Sequence, residues 1–268
     1  MKKIATALMF CGLSMSVGPV SAALPLGASP APAGGTASTT PAPAARTAST
    51  SPASTTGPTV LPMGGSPFGQ KYEQWAADAT KLLYSIPLAN NPFLSDIGKC
   101  TVSQYGKVWF VGTKSSDASC EVPFGKAILL EFGGYVDTYP CPDPNFHPKP
   151  GQTLEKFLIK DARYIVDNYL IAPGLVPHGL KIDGNQALSH DEVLNQRRLS
   201  TKLFHLTGDL SLQAVDSCVT GTSQEAVTDD FWAIVTDMPL GSHTLEFVDV
   251  HGVITSTIHL NIYDDAKP

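Results

Sequence analysis

The sequence predicts a mainly β protein: an antiparallel β-sandwich, Ig-like or jelly-roll-like, with two packed α-helices and a disordered linker in front of it. Three observations predict this. Short β-branched and aromatic runs recur along the chain, with KVWFVG, GKAILLEF, FWAIVT, HTLEFV and TIHLNIY the clearest; their length and spacing suit sandwich strands. Two segments carry apolar residues at helical spacing. A long stretch before them is almost wholly Ala, Pro, Ser, Thr and Gly.

The elements follow in chain order. Residues 1–22 read as a signal peptide: Lys2 and Lys3 supply a positive start, Ile4 to Val20 is apolar, and Val20-Ser21-Ala22 places small residues before the cut. Residues 23–70 read as linker, because Arg46 is the one charge up to Phe68 and such a composition cannot bury enough apolar surface to offset its ordering entropy. A single globular domain is expected over 71–268. Its first helix runs from Lys71 to Ser85, with Tyr72, Trp75, Ala76, Ala79, Leu82 and Leu83 on one face; Pro87 ends it. Strands at Lys107–Gly112 and Gly125–Phe132 follow. Residues 133–151, rich in Gly, Pro, Asp and Asn, read as a long loop. The second helix spans Thr153 to Leu170, with Leu154, Phe157, Leu158, Ala162, Ile165, Val166 and Tyr169 inward. Gly179–Ile182 runs into a hairpin turn at Asp183-Gly184. Ser189 and Glu192 have capping-box spacing for a short helix over Ser189–Gln196. Strands at Lys202–Leu206, Phe231–Thr236, His243–Val248 and Thr257–Tyr263 complete the set, with a tight turn at Met238–Ser242.

Loss of the leader removes two lysines and no acid, which moves the formal net charge from −6 to −8. That argues against nucleic acid or an anionic membrane surface as the main partner. No stretch after the leader is long and apolar enough to read as a transmembrane segment. Five cysteines become four: Cys100, Cys120, Cys141 and Cys218. An even number in an exported chain reads as two disulfides. Three connectivities are open; Cys100–Cys120 with Cys141–Cys218 is the favoured one. Zinc is disfavoured because no Cys-x-x-Cys pair exists, and neither a metal nor a cofactor is expected.

Motifs that would name a reaction are missing. The chain has no Gly-x-Ser-x-Gly elbow, no P-loop and no dinucleotide fingerprint. What remains is looser. Glu131 ends an apolar run and shares parity with Ala127 and Leu129, so burial would raise its pKa and suit it to general-acid work. Asp143 and His147 lie in the long loop with Asp137 and Asn145, where oxygen and imidazole groups could act together, although Asp and Asn also suit turns. Asp229 and Asp230 precede an aromatic pair, but neighbours on a strand point to opposite faces, so they cannot flank one bond. Trp75, Trp109 and Trp232 sit in apolar runs and read as core. His243 has inward parity and His259 outward parity, which argues against a shared ligand.

One ordered set of residues carries a resemblance: Asn91-Pro92-Phe93, Cys100, Gln104, Gly106, Val108-Trp109-Phe110, Cys120, Val122-Pro123 and Gly125-Lys126-Ala127, with Pro239-Leu240 and His243-Thr244-Leu245 later. Over about residues 72–263 the chain resembles a family of uncharacterised secreted bacterial proteins. The resemblance implies a bacterial envelope setting and supports the Cys100–Cys120 pairing. It carries no activity and no functional residue. The expectation is therefore a secreted or periplasmic, non-catalytic binding or structural envelope module. Its partner would be an envelope or extracellular ligand such as a glycan. The alternative is a secreted hydrolase acting on a glycan or ester through carboxylates in the 131–147 region.

Overall fold

The computed structural model describes residues 57–102, 104–176 and 178–265. The signal peptide expected over 1–22 and residues 23–56 of the expected linker lie outside the described residues. Residues 57–70 were also expected as linker, yet they are part of the fold: β1 (Thr59–Val60) pairs with a central strand, and the Leu61 amide donates to Ile234 O at 2.8 Å. Val60, Leu61 and Met63 pack against the cores. The apolar run Val60-Leu61-Pro62-Met63 drives this attachment; averaged into the composition of the long linker, it is hidden.

Two sheets form a sandwich. The first is built on β4 (Ala127–Tyr139) and β9 (Ser223–Thr236), paired antiparallel. Beyond β4 lies β2 (Val108–Val111), parallel to it. Along the other edge of β9 run β1, β7 (Arg198–Ser200) and β8 (Phe204–Thr207). The second sheet has the order β3-β11-β10-β5-β6, from β3 (Asp117–Pro123), β5 (Gly179–Ile182), β6 (Asn185–Leu188), β10 (Gly241–Val248) and β11 (Ile254–Tyr263). Both sheets are mixed rather than purely antiparallel, since β3 also runs parallel to β11. The reason is connectivity. The chain passes from β2 to β3 in the other sheet and back to β4, so β2 and β4 enter their sheet in the same direction. Met238–Ser242 likewise links the two sheets; the hairpin turn of this region is at 249–253, between β10 and β11.

Alternation along the strands divides the core. Ile128, Leu130, Phe132, Phe231, Ala233 and Val235 meet Leu180, Leu245, Phe247, Ile258, Leu260 and Ile262 between the sheets. Ala127, Leu129, Trp232 and Ile234 face the other way, onto α1 (Tyr72–Ser85), which buries Tyr72, Ala76, Ala79, Leu83 and Tyr84 against them. Asn91, fully buried, closes the end of α1: its side-chain N–H donates to Leu83 O at 2.8 Å while its Oδ1 accepts from the Phe93 and Leu94 amides. Where the first sheet overhangs the second, α2 (Leu154–Ile165) covers it through Leu158 and Ala162 against Val227. A short α3 (His190–Gln196) lies where it was expected, with the capping box from Ser189 and Glu192, beside the two packed helices.

Both favoured disulfides are present. Cys100–Cys120 ties the segment before β2 to β3, and Cys141–Cys218 ties the loop after β4 to the approach to β9.

The expected loop over 133–151 is strand as far as Tyr139. Gly133-Gly134 reads as a turn, but it forms a β-bulge: Glu131 pairs with Trp232 and Gly134 with Asp230, so two residues of β4 oppose Phe231. Gly133 has φ +108, and a Cβ there would overlap Val176. A Cβ at Gly134 would overlap the Asp230 carboxyl. Gly134→Ala therefore forces that buried carboxyl aside and is expected to cost roughly 2–4 kcal/mol. Urea unfolding checks this; an unchanged midpoint would mean the carboxyl yields freely.

Candidate functional site

The bulge sets up the most unusual chemistry in the molecule. The expected strand begins at Phe231, but Asp229 and Asp230 also lie inside β9, each 1% exposed. As strand geometry requires, they point to opposite faces. Asp230 faces α1. There it lines a small cavity with Glu131, Thr80, Phe110, Val136 and Trp232. The cavity holds about 10 Å³, room for a single water at most. Burial pushes the Asp230 carboxyl up to about 8, against the opposing pull of Thr228 and with a further push from Asp229. Burial, then the Asp230 charge, raises Glu131 well above the carboxylate range. Trp232 and the Tyr135 backbone also pull against the Asp230 shift, but less than burial pushes it up. Glu131 thus has the parity and the raised pKa expected of it, but its neighbour is Asp230 and no substrate can enter.

Asp229 faces α2. Its carboxylate accepts from Arg198 Nε (2.9 Å) and from Ser200 Oγ (2.6 Å), and Arg163 Nε stands 3.8 Å away. Arg198 Nη1 continues the chain to Asp167 Oδ1 at 2.6 Å. Buried charge is tolerated here because both its sign and its hydrogen bonds are matched.

The structure does not bring the other expected residues to Glu131. Asp143 Oδ1 accepts from the Asn145 amide at 2.8 Å, an Asx turn, and His147 is exposed with Nδ1 3.2 Å from Pro148 O. Asp137 is buried in β4. Trp109 and Trp232 are core, while Trp75 is half-buried with Nε1 donating to Pro67 O at 3.0 Å. Among the described residues, no group of three or more His, Cys, Asp or Glu side chains is placed to hold a metal ion.

An open groove of about 450 Å³ lies on the outer face of the second sheet. Period-2 alternation places its lining: Ser119 and Glu121 on β3, His259 and Asn261 on β11, Ser242 and Thr244 on β10. Register arranges them as two rows, Ser119–His259–Thr244 and Glu121–Asn261–Ser242. Asp183, from the β5–β6 turn, closes one end. It accepts from the Thr244 amide at 2.8 Å, and its other oxygen is 2.7 Å from His243 Nδ1. His259 Nε2 lies 3.2 Å from Asp117 Oδ1. Sequence reading placed His259 outward but saw no site there, since the six residues come from three strands that only the fold aligns.

Comparison with known proteins returned no match to a family model, a curated protein or a solved structure.

Proposed function

We propose that this chain is an exported, non-catalytic binding module of the bacterial envelope, and that the outer face of its second sheet holds a neutral glycan. The observation that carries this reading is the double row of hydroxyl, amide, imidazole and carboxyl groups across β3, β11 and β10. Adjacent strands are about 4.8 Å apart, so the rows repeat donors and acceptors on the scale of sugar hydroxyls. The strands hold these groups in place without further ordering cost. Two disulfides suit an oxidising compartment. The hydrolase alternative needs converging carboxyls at an open cleft, whereas Glu131 and Asp230 share a cavity with room for one water at most and Asp143 and His147 lie on a surface loop.

Calorimetric titration of the purified chain with malto-, cello- and chito-hexaose tests the proposal. One of these should bind, and Asn261→Ala or His259→Ala should weaken it about tenfold, the loss of one to two good hydrogen bonds. Absence of binding to all three, or equal binding by both variants, would sink the sheet-face assignment.

A further inference from the structure

The far end of α2 carries a feature that neither the core nor the sheet groove uses. Its buried residues are Leu158, Ala162, Val166 and Leu170, spaced by four throughout. An α-helix advances about 100° per residue, so each step of four drifts about 40° off the core. The chain corrects the drift with a π turn over Val166–Ile171, in which the Ala172 amide donates to Asp167 O, five residues back, at 3.1 Å. Such turns are rare and frequent at functional sites. This one exchanges two residues. Leu170 takes the core position that α-helical periodicity assigns to Tyr169, and Tyr169 is turned out to 55% exposure. In an α-helix Tyr164 and Tyr169 would stand about 140° apart. Here their rings meet edge to face, centroids 6.1 Å apart, with Tyr164 54% exposed.

Tyr164 lines an open groove of about 460 Å³ with Lys156, Lys160, Arg163 and Asn168. The groove is cationic in a chain of net negative charge. The Asp167 carboxylate at its edge is engaged by Arg198, and Arg163 is tied to Ser200 at 3.0 Å. Lys156 and Lys160 are exposed, and among the described residues neither has a carboxylate within salt-bridge distance. They are one helical turn apart, about 6 Å along the axis, on the scale of one sugar repeat.

We propose that this corner is a second binding site, for an anionic polysaccharide of the uronic-acid type. The pyranose face, apolar and edged by C–H groups, lies against the electron-rich tyrosine face. Successive carboxylates meet the ammonium groups of Lys156 and Lys160. A chain with one charge per sugar matches two free cations spaced one turn apart. The denser charge of a nucleic acid calls for a broader basic surface than this acidic protein offers. The site shares no residue with the sheet groove, so it stands whether or not that groove binds a glycan.

The test is calorimetry on the purified full chain with hexagalacturonate, maltohexaose and a dT₁₂ oligonucleotide. Hexagalacturonate should bind, more weakly as salt rises. Tyr164→Ala and the double variant Lys156→Gln/Lys160→Gln should each lose about tenfold or more in affinity, while His259→Ala leaves it unchanged. Because these side chains are exposed, unfolding midpoints should stay at the wild-type value, which separates lost binding from lost structure. No binding of hexagalacturonate, tighter binding of dT₁₂ or of maltohexaose to this corner, or wild-type affinity in the Tyr164 variant would each overturn the proposal.

Discussion

Asp230→Asn is expected to be more stable than the wild-type chain at pH 8 and to show a shallower pH dependence between pH 6.5 and 8, the remainder coming from Glu131. The folded Asp230 carboxyl titrates at about 8, against an ordinary value of 3.8. Between those values the native state holds a proton that the unfolded chain has released. Stability from this group is therefore full at low pH and falls as pH rises through 8. The gap corresponds to roughly 6 kcal/mol in total, and burial leaves little solvent to screen it. Asn has the same shape, keeps the close approach to Gly134 and does not titrate.

The window matters because His178 acts in the opposite sense below it. Burial lowers this histidine from 6.5 to about 4, with Asp249 opposing and His190 reinforcing the shift. The unfolded chain then binds the extra proton, so stability from His178 rises between pH 4 and 6.5. Above pH 6.5 that contribution is constant, and the fall expected there comes from the acid pair. Urea midpoints at several pH values for both proteins provide the check. Parallel curves would show that Glu131 and Asp230 are not protonated as burial dictates.

The second large effect is expected from the Cys141→Ser/Cys218→Ser double variant. This disulfide spans 77 residues, and in the chain-entropy view its loss costs about 4.5 kcal/mol. Cys100–Cys120 spans 20 residues, for which about 3 kcal/mol follows. Against a typical stability of about 5–15 kcal/mol, losing the longer link removes a large share. Chemical unfolding of the two double variants should rank them in that order. The reverse order would mean that strain or residual structure, rather than loop length, governs these links.

The acid pair and the tyrosine corner show where sequence reading stops. Glu131 was legible as inward-facing because period 2 carries from Ala127 and Leu129. Its partner was not, because Asp229 and Asp230 next to Phe231 look like a polar strand boundary, and pairing with Gly134 depends on a bulge across two distant strands. Glycine pairs signal turns and bulges alike, and only the neighbouring strand distinguishes them. At the second helix, the run of four-residue spacings from Leu158 to Leu170 was a readable sign of an underwound helix. Set against 3.6-residue periodicity, however, Tyr169 fits the apolar face almost as well as Leu170.

Local sequence was enough for the strand runs at 108–111, 127–132, 179–182, 231–236, 243–248 and 257–263, for the first helix and the short capped helix, for the second helix as far as Ile165 and for the inward parity of most core residues, but not for β3, β6, β7 or the outer halves of β4 and β9. These depend on local propensity, caps and alternation, which act within a few residues. The four cysteines after residue 22 also constrained the disulfides, to three possible pairings. Tertiary structure alone decided which strands share a sheet, that both sheets are mixed, that 57–70 joins the fold, and that Asp230 meets Glu131 while Asp229 meets Arg198. It also decided the six-residue face of the outer groove and the turn that sets Tyr169 beside Tyr164. Each of these depends on long-range burial, which chooses among local arrangements of nearly equal energy.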